Sequence, residues 1–293
     1  MSVAAAARTA EEFDVQLPSG RIHAQRFGRA DAPLVIGIPG VSANMKNFDF
    51  IGERLSDEVQ LVAFDPRGRG RSERTAPGTY GYLNHACDVF ALADALGAGR
   101  FKLIGHSMGA GIAMTCAHID ASRIERMVLI DTCGPMDPAA AGPIVASGSR
   151  LGTVYPSLEA YLSQFRQLGV VEPWNEYWQR YYEYDMQPTD GGVASTVDRM
   201  AAFEDGMFYV GITAYGDGAG IYALWPRLTM PVLLLRAMRE MLPGIGYIVR
   251  EHDVERFRRE VPAARIDEID ANHYTIAMHP DTPVAIDPFL HQP

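Results

Sequence analysis

The chain has 293 residues, 47% hydrophobic and 21% charged, and carries a formal net charge of −10. Those proportions exclude a disordered, collagen-like or coiled-coil chain, and an acidic surface argues against nucleic-acid and anionic-membrane partners. Cys87, Cys116 and Cys133 are odd in number and form no CxxC, which argues against a disulfide framework or a zinc ribbon.

The first elements are two alternating segments, 13–17 and 22–27, around Pro18-Ser19-Gly20, which read as a β-hairpin. Apolar runs follow at 34–38, 60–64, 101–104, 127–130, 232–235 and 265–269. All but the last are almost continuously apolar, the pattern of strands covered by helices on both faces. Helical periodicity occupies 82–96, 108–118 and 247–261. Alternation of this kind predicts a doubly wound α/β fold. The stretch 137–225 breaks the rhythm. It has no strand signal, is rich in tyrosine and phenylalanine, and holds Trp174, Trp178 and Trp225. It reads as a helical insertion between two core strands, with a loop or hinge at Gly216-Asp217-Gly218-Ala219-Gly220. No run approaches the ~18 apolar residues of a membrane span, and the start lacks a secretion signal. The expected setting is cytoplasmic.

Gly105-His106-Ser107-Met108-Gly109 follows the strand 101–104 and opens a helix of small residues. Strand, GxSxG and helix together make the context of a nucleophile elbow. The flanking glycines let backbone pass close, so the serine hydroxyl is lifted above the sheet at a helix N-terminus, where developing negative charge is favoured.

A serine nucleophile needs a base and an oxyanion hole. The strand 34–38 runs into Pro39-Gly40-Val41-Ser42, and here the chain resembles the α/β-hydrolase fold family, which carries His-Gly-x at this point. Pro39 replaces the histidine and the glycine is kept. The resemblance implies oxyanion donors at the N–H groups of Val41 and of Met108. Asp65-Pro66-Arg67-Gly68-Arg69-Gly70-Arg71-Ser72 is similar to the family's D-x-R-G-x-G-x-S segment and reads as a structural turn whose arginines are tied to carboxylates. Without GxGxxG or a Walker lysine, it is not a nucleotide site. Asp270-Ala271-Asn272-His273-Tyr274 follows the last strand, where the family places its base, so the resemblance assigns that role to His273. It covers residues 13–136 and 226–293, and the chain order serine, acid, histidine agrees.

The triad acid has two candidates. Asp131 ends the strand 127–130, and Glu240 stands where the family's Gly-x-x-Asp pattern puts its aspartate, beside Arg239. Asp131 is favoured over Glu240. Neither HExxH nor any cluster at metal-ligand spacing occurs, so neither metal nor cofactor is expected. The expectation is therefore an α/β-hydrolase fold with an eight-stranded, mostly parallel sheet. Residues 1–136 and 226–293 form its core, and 137–225 form a helical lid. The expected activity is hydrolysis of a small to medium carboxylic ester or lactone through an acyl-enzyme. A serine elbow argues against the aspartate-dependent dehalogenases and epoxide hydrolases of the family. The rivals are a carbon–carbon bond hydrolase acting on a vinylogous keto acid and a non-hydrolytic ligand-binding protein of the same fold.

Overall fold

The computed structural model describes residues 8–135, 148, 150–214 and 219–292. The hairpin forms from β1 (Glu11–Leu17) and β2 (Gly20–Phe27), with Gly20 at φ +130°, a conformation that side chains rarely adopt. The continuously apolar runs become β3 (Leu34–Ile38), β4 (Gln60–Phe64), β5 (Phe101–His106), β6 (Ile124–Ile130) and β10 (Val232–Ala237). The last strand is β11 (Ala264–Ile269). They join in one eight-stranded sheet of order β1-β2-β4-β3-β5-β6-β10-β11. The pairings that β2 makes with β1 and β4 are antiparallel, and all the others are parallel.

Alternate side chains of each central strand enter opposite layers, as the two-residue period of a strand requires. Ile36, Ile38, Met127, Leu129 and Leu234 belong to one apolar layer, whereas Val35, Val128, Ile130, Leu233 and Leu235 belong to the other. The first layer is closed by α2 (Tyr82–Ala95), α3 (Met108–Asp120) and Phe257 of α8 (Glu251–Glu260). The second is closed by the turn around α1 (Asp49–Gly52) and by α9 (Asp281–His291), through Phe48, Ile51, Ile286 and Phe289. Burying each such side chain stabilises the fold by about 1.5–3 kcal/mol. Helix α8 starts four residues later than its periodicity suggests: Ile248 and Val249 are buried without being helical.

Between β6 and β10 come β7 (Val154–Tyr155), α4 (Leu158–Leu168), α5 (Glu176–Tyr184), β8 (Met186–Thr189), β9 (Gly192–Ser195), α6 (Arg199–Ala214) and α7 (Ala219–Tyr222). Ser157 caps α4 by accepting from the Ala160 N–H, and Asn175 caps α5 by accepting from those of Tyr177 and Trp178. The expectation of a purely helical insertion is corrected: β7, β9 and β8 form a separate antiparallel sheet. Its hairpin turns at Asp190-Gly191, a dipeptide that suits a tight two-residue turn. Pro188 masks the strand signal, but β8 is an edge strand, where the missing N–H is tolerated.

The insertion has its own apolar cluster of Tyr161, Leu162, Val171, Tyr177, Trp178 and Tyr182, closed against Phe50 and Met278 of the main body. Tyr222 and Trp225, expected in the insertion, pack in the main core instead, and the Trp225 Nε1–H donates to the Cys133 carbonyl at 2.8 Å. The expected start of the insertion at Asp137 and the Gly216–Gly218 part of the expected hinge lie outside the described residues. Among the described residues, no helix is long and apolar enough to cross a membrane.

Candidate active site

Ser107 joins β5 to α3 at φ +56° and ψ −120°, a strained conformation for a residue with a side chain. Its neighbours show why the turn needs glycine. A Cβ on Gly105 would stand 2.2 Å from the Gly109 carbonyl oxygen, and one on Gly109 would stand 1.9 Å from that of Ile38. The Ser107 side chain makes no capping bond to α3, which leaves its hydroxyl free.

The hydroxyl meets His273, whose Nε2 lies 3.0 Å from Ser107 Oγ. His273 Nδ1 lies 2.8 Å from Asp131 Oδ2. Both His273 and Asp131 are buried. Asp131, directly after β6, is held at φ +49°, and its other oxygen accepts from the Ala237 N–H at 2.9 Å. An Nδ1–H donated to the carboxylate leaves the Nε2 lone pair facing the serine hydroxyl. Glu240 is not part of this group: it is exposed and accepts from the Gly244 N–H at 2.8 Å. Its neighbour Arg239 pairs with Asp270 at 2.7 Å.

The loop after β3 passes close beside the serine. A Cβ on Gly40 would stand 3.4 Å from Ser107 Cβ, so Val41 begins next to the elbow. Met108 is the buried first residue of α3, where backbone N–H groups have no partner within the helix. The Val41 carbonyl accepts from Arg69 Nε at 3.1 Å and Nη2 at 2.8 Å, and the Ser42 carbonyl accepts from Arg150 Nη2 at 3.3 Å.

Further residues build the site without any signal of their own in the sequence. The buried His106 lies between Asn47 Nδ2, 3.3 Å from its Nδ1, and the His273 carbonyl, 2.9 Å from its Nε2. Burial and the nearby His273 push its pKa down to about 3. It is therefore neutral, and its Nε2–H donates to the backbone carbonyl of His273. Asn272 Oδ1 accepts from the N–H groups of Tyr274 and Thr275, folding the loop that carries His273. The Asp65–Ser72 arginines do pair with carboxylates: Arg67 with Asp88, Arg69 with Asp205 and Arg71 with Glu12, at 2.6, 2.6 and 2.7 Å. Among the described residues there is no cluster of three or more metal-ligating side chains.

The fold and this geometry define the class: the chain belongs to the alpha/beta hydrolase fold family, whose profile matches residues 33–277. It is 27% identical over 265 residues to the 2-(acetamidomethylene)succinate hydrolase of Mesorhizobium japonicum, covering 89% of each chain. It is 35% identical over 151 residues to the N-formylmaleamate deformylase of Pseudomonas putida, a match that spans about half of each protein (51%). The crystal structure of E-2-(acetamidomethylene)succinate hydrolase superposes with a TM-score of 0.82 at 22% identity, over 97% of this chain and 100% of that one, a likeness of fold. Like these relatives, the chain is a hydrolase.

Proposed function

We propose that the chain is a serine hydrolase that cleaves a small to medium carboxylic ester or lactone through an acyl-enzyme. The observation that carries this reading is the continuous chain of contacts from Ser107 Oγ to His273 and on to Asp131. Ser107 Oγ attacks the carbonyl carbon while His273 Nε2 takes the hydroxyl proton. Asp131 holds the imidazole in the required tautomer and stabilises the imidazolium that forms. The N–H groups of Val41 and Met108 receive the oxyanion. His273 returns the proton to the leaving group; water then attacks the acyl carbon as His273 Nε2 takes its proton, the bond to Ser107 Oγ breaks, and His273 returns the proton to Oγ as the acid departs. The main body carries the catalytic residues, and the described part of the insertion from Arg150 to Ala214 is a lid. Hydrogen bonds from Arg150 to Ser42, from Asn44 to Tyr181 and from Asn272 to Val170 support that seating. The partner is a small molecule rather than a nucleic acid, in keeping with the acidic charge. Unpaired Cys87, Cys116 and Cys133 suit a cytoplasmic setting.

A second reading, hydrolysis of an N-acyl amide, is favoured by the names of two relatives, which carry an N-formyl and an acetamido group. The same serine, base and oxyanion donors serve it, with nitrogen as the leaving atom. Turnover of p-nitrophenyl esters, small lactones, N-formyl and N-acetyl enamides and a dienone, each with Ser107→Ala as control, separates the readings. Ester or lactone cleavage lost in Ser107→Ala is the expected result. Cleavage of enamides alone selects the second reading. Cleavage of the dienone alone selects carbon–carbon bond hydrolysis, and ligand binding without any turnover contradicts the proposal.

A further inference from the structure

We propose that Arg69 is a positioning residue for the oxyanion loop, held in place by Asp205 of the insertion, so that a seated lid completes the oxyanion hole. The inference rests on the reading of Val41 as an oxyanion donor.

The loop Pro39–Ser42 has little of its own to fix it: one turn bond from the Ala43 N–H to the Gly40 carbonyl at 3.2 Å. Its next two carbonyls are each held by a guanidinium group. Arg69 grips the Val41 carbonyl with Nε and Nη2, and its Nη1 donates to the Arg67 carbonyl at 3.1 Å. Arg150 holds the Ser42 carbonyl. A guanidinium is planar, so two donors on one carbonyl fix the direction of that carbonyl as well as its distance. The orientation of the Val41 residue follows, and with it that of the N–H assigned to the oxyanion.

Arg69 is completely buried, and a buried guanidinium persists only with a compensating charge. That charge comes from the insertion. Asp205 on α6, equally buried, sits 2.6 Å from Arg69 Nη2. The carboxylate is itself anchored to the core by the Gly81 N–H at 2.6 Å and by His85 Nε2 at 3.0 and 2.9 Å. Burial alone would raise its pKa, but Arg69, His85 and the Gly81 N–H reverse this and hold it at about 2. Arg150 differs in belonging to the insertion itself, where it pairs with Asp185 at 2.9 Å. Both hands on the loop are thus balanced by carboxylates of the lid. Removing Asp205 leaves Arg69 with a buried, uncompensated charge, which favours its withdrawal from Val41.

The test uses the full chain and a fluorophosphonate whose P=O enters the oxyanion hole. The wild type, Arg69→Lys and Asp205→Asn are compared in saturating inactivation rate, apparent KI and final extent of Ser107 labelling, with thermal unfolding as a check on fold. Lysine keeps the charge and loses the fork; asparagine keeps the shape and loses the charge. The expected result is an inactivation rate lowered by about ten- to a hundredfold in both variants, with apparent KI and final labelling unchanged. A lower final extent at the wild-type rate means that the pair only maintains the folded fraction, and overturns the proposal. Wild-type rates in both variants overturn it too, as does loss of folding in both, since the pair then serves the fold and not the loop. A wild type that is not labelled at all instead refutes the parent reading of Ser107.

Discussion

Among the described residues, Ser107 and Asp131 are the two non-glycine positions with positive φ, at +56° and +49°. A left-handed backbone at a side-chain-bearing residue is disfavoured, and its persistence at two residues joined through one histidine marks where packing over-determines the chain. At this scale the strained turn that carries Ser107 was legible, because GxSxG between a strand and a small-residue helix has a steric meaning. The carboxylate that meets His273 was less so: Asp131 was favoured over Glu240, yet both follow strand ends and the local pattern separates them only weakly. What separates their positions is long-range, the Ala237 N–H that turns the Asp131 carboxylate toward His273. Three predictions belong here. Replacing Ser107 with alanine should leave the unfolding curve in place and reduce turnover by about 10⁶. Asp131→Asn should cost about 10⁴ in kcat through the wrong imidazole tautomer. Glu240→Gln, by contrast, should stay within about threefold of the wild type, since a surface substitution away from the reacting atoms changes little. Parallel steady-state measurements of the three variants, with thermal unfolding of Ser107→Ala, check them.

At the scale of elements, the elbow works because β3, β5 and α3 approach more closely than a side chain allows. Gly109→Ala would bring a methyl group to 1.9 Å from the Ile38 carbonyl oxygen, which is backbone and cannot rotate away. The expected outcome is a loss of about 1–3 kcal/mol in denaturant unfolding, with turnover falling as α3 is pushed from Val41. The central strands were legible because burial on both faces writes a continuous apolar run. The small sheet of the insertion was not: its strands are two to four residues long, and Pro188 hides the one next to the Asp190-Gly191 turn. Tyr222 and Trp225 likewise read as part of an aromatic insertion, because composition reports aromatic content and not which core receives it.

For the molecule as a whole, the contacts that join insertion to core are the ones a sequence hides best. Arg69 and Asp205, or Asn272 and Val170, are more than a hundred residues apart and carry no shared pattern. The buried His106 also makes stability depend on pH. Its pKa falls from an ordinary 6.5 to about 3 on folding, so the unfolded chain takes up the proton first. The contribution is complete above pH ~6.5 and is lost as the pH falls toward ~3, at no more than about 1.4 kcal/mol per pH unit. Other groups titrate in the same window, so the readout is the difference in slope between wild type and His106→Gln, which should have the shallower dependence. The proposed chemistry requires that Ser107 Oγ is the atom that reacts, which intact-protein mass spectrometry after fluorophosphonate treatment addresses directly. A single phosphonyl adduct is expected, mapped to the peptide bearing Ser107 and absent from Ser107→Ala. An unmodified wild-type protein, or an adduct that persists in Ser107→Ala, would contradict it.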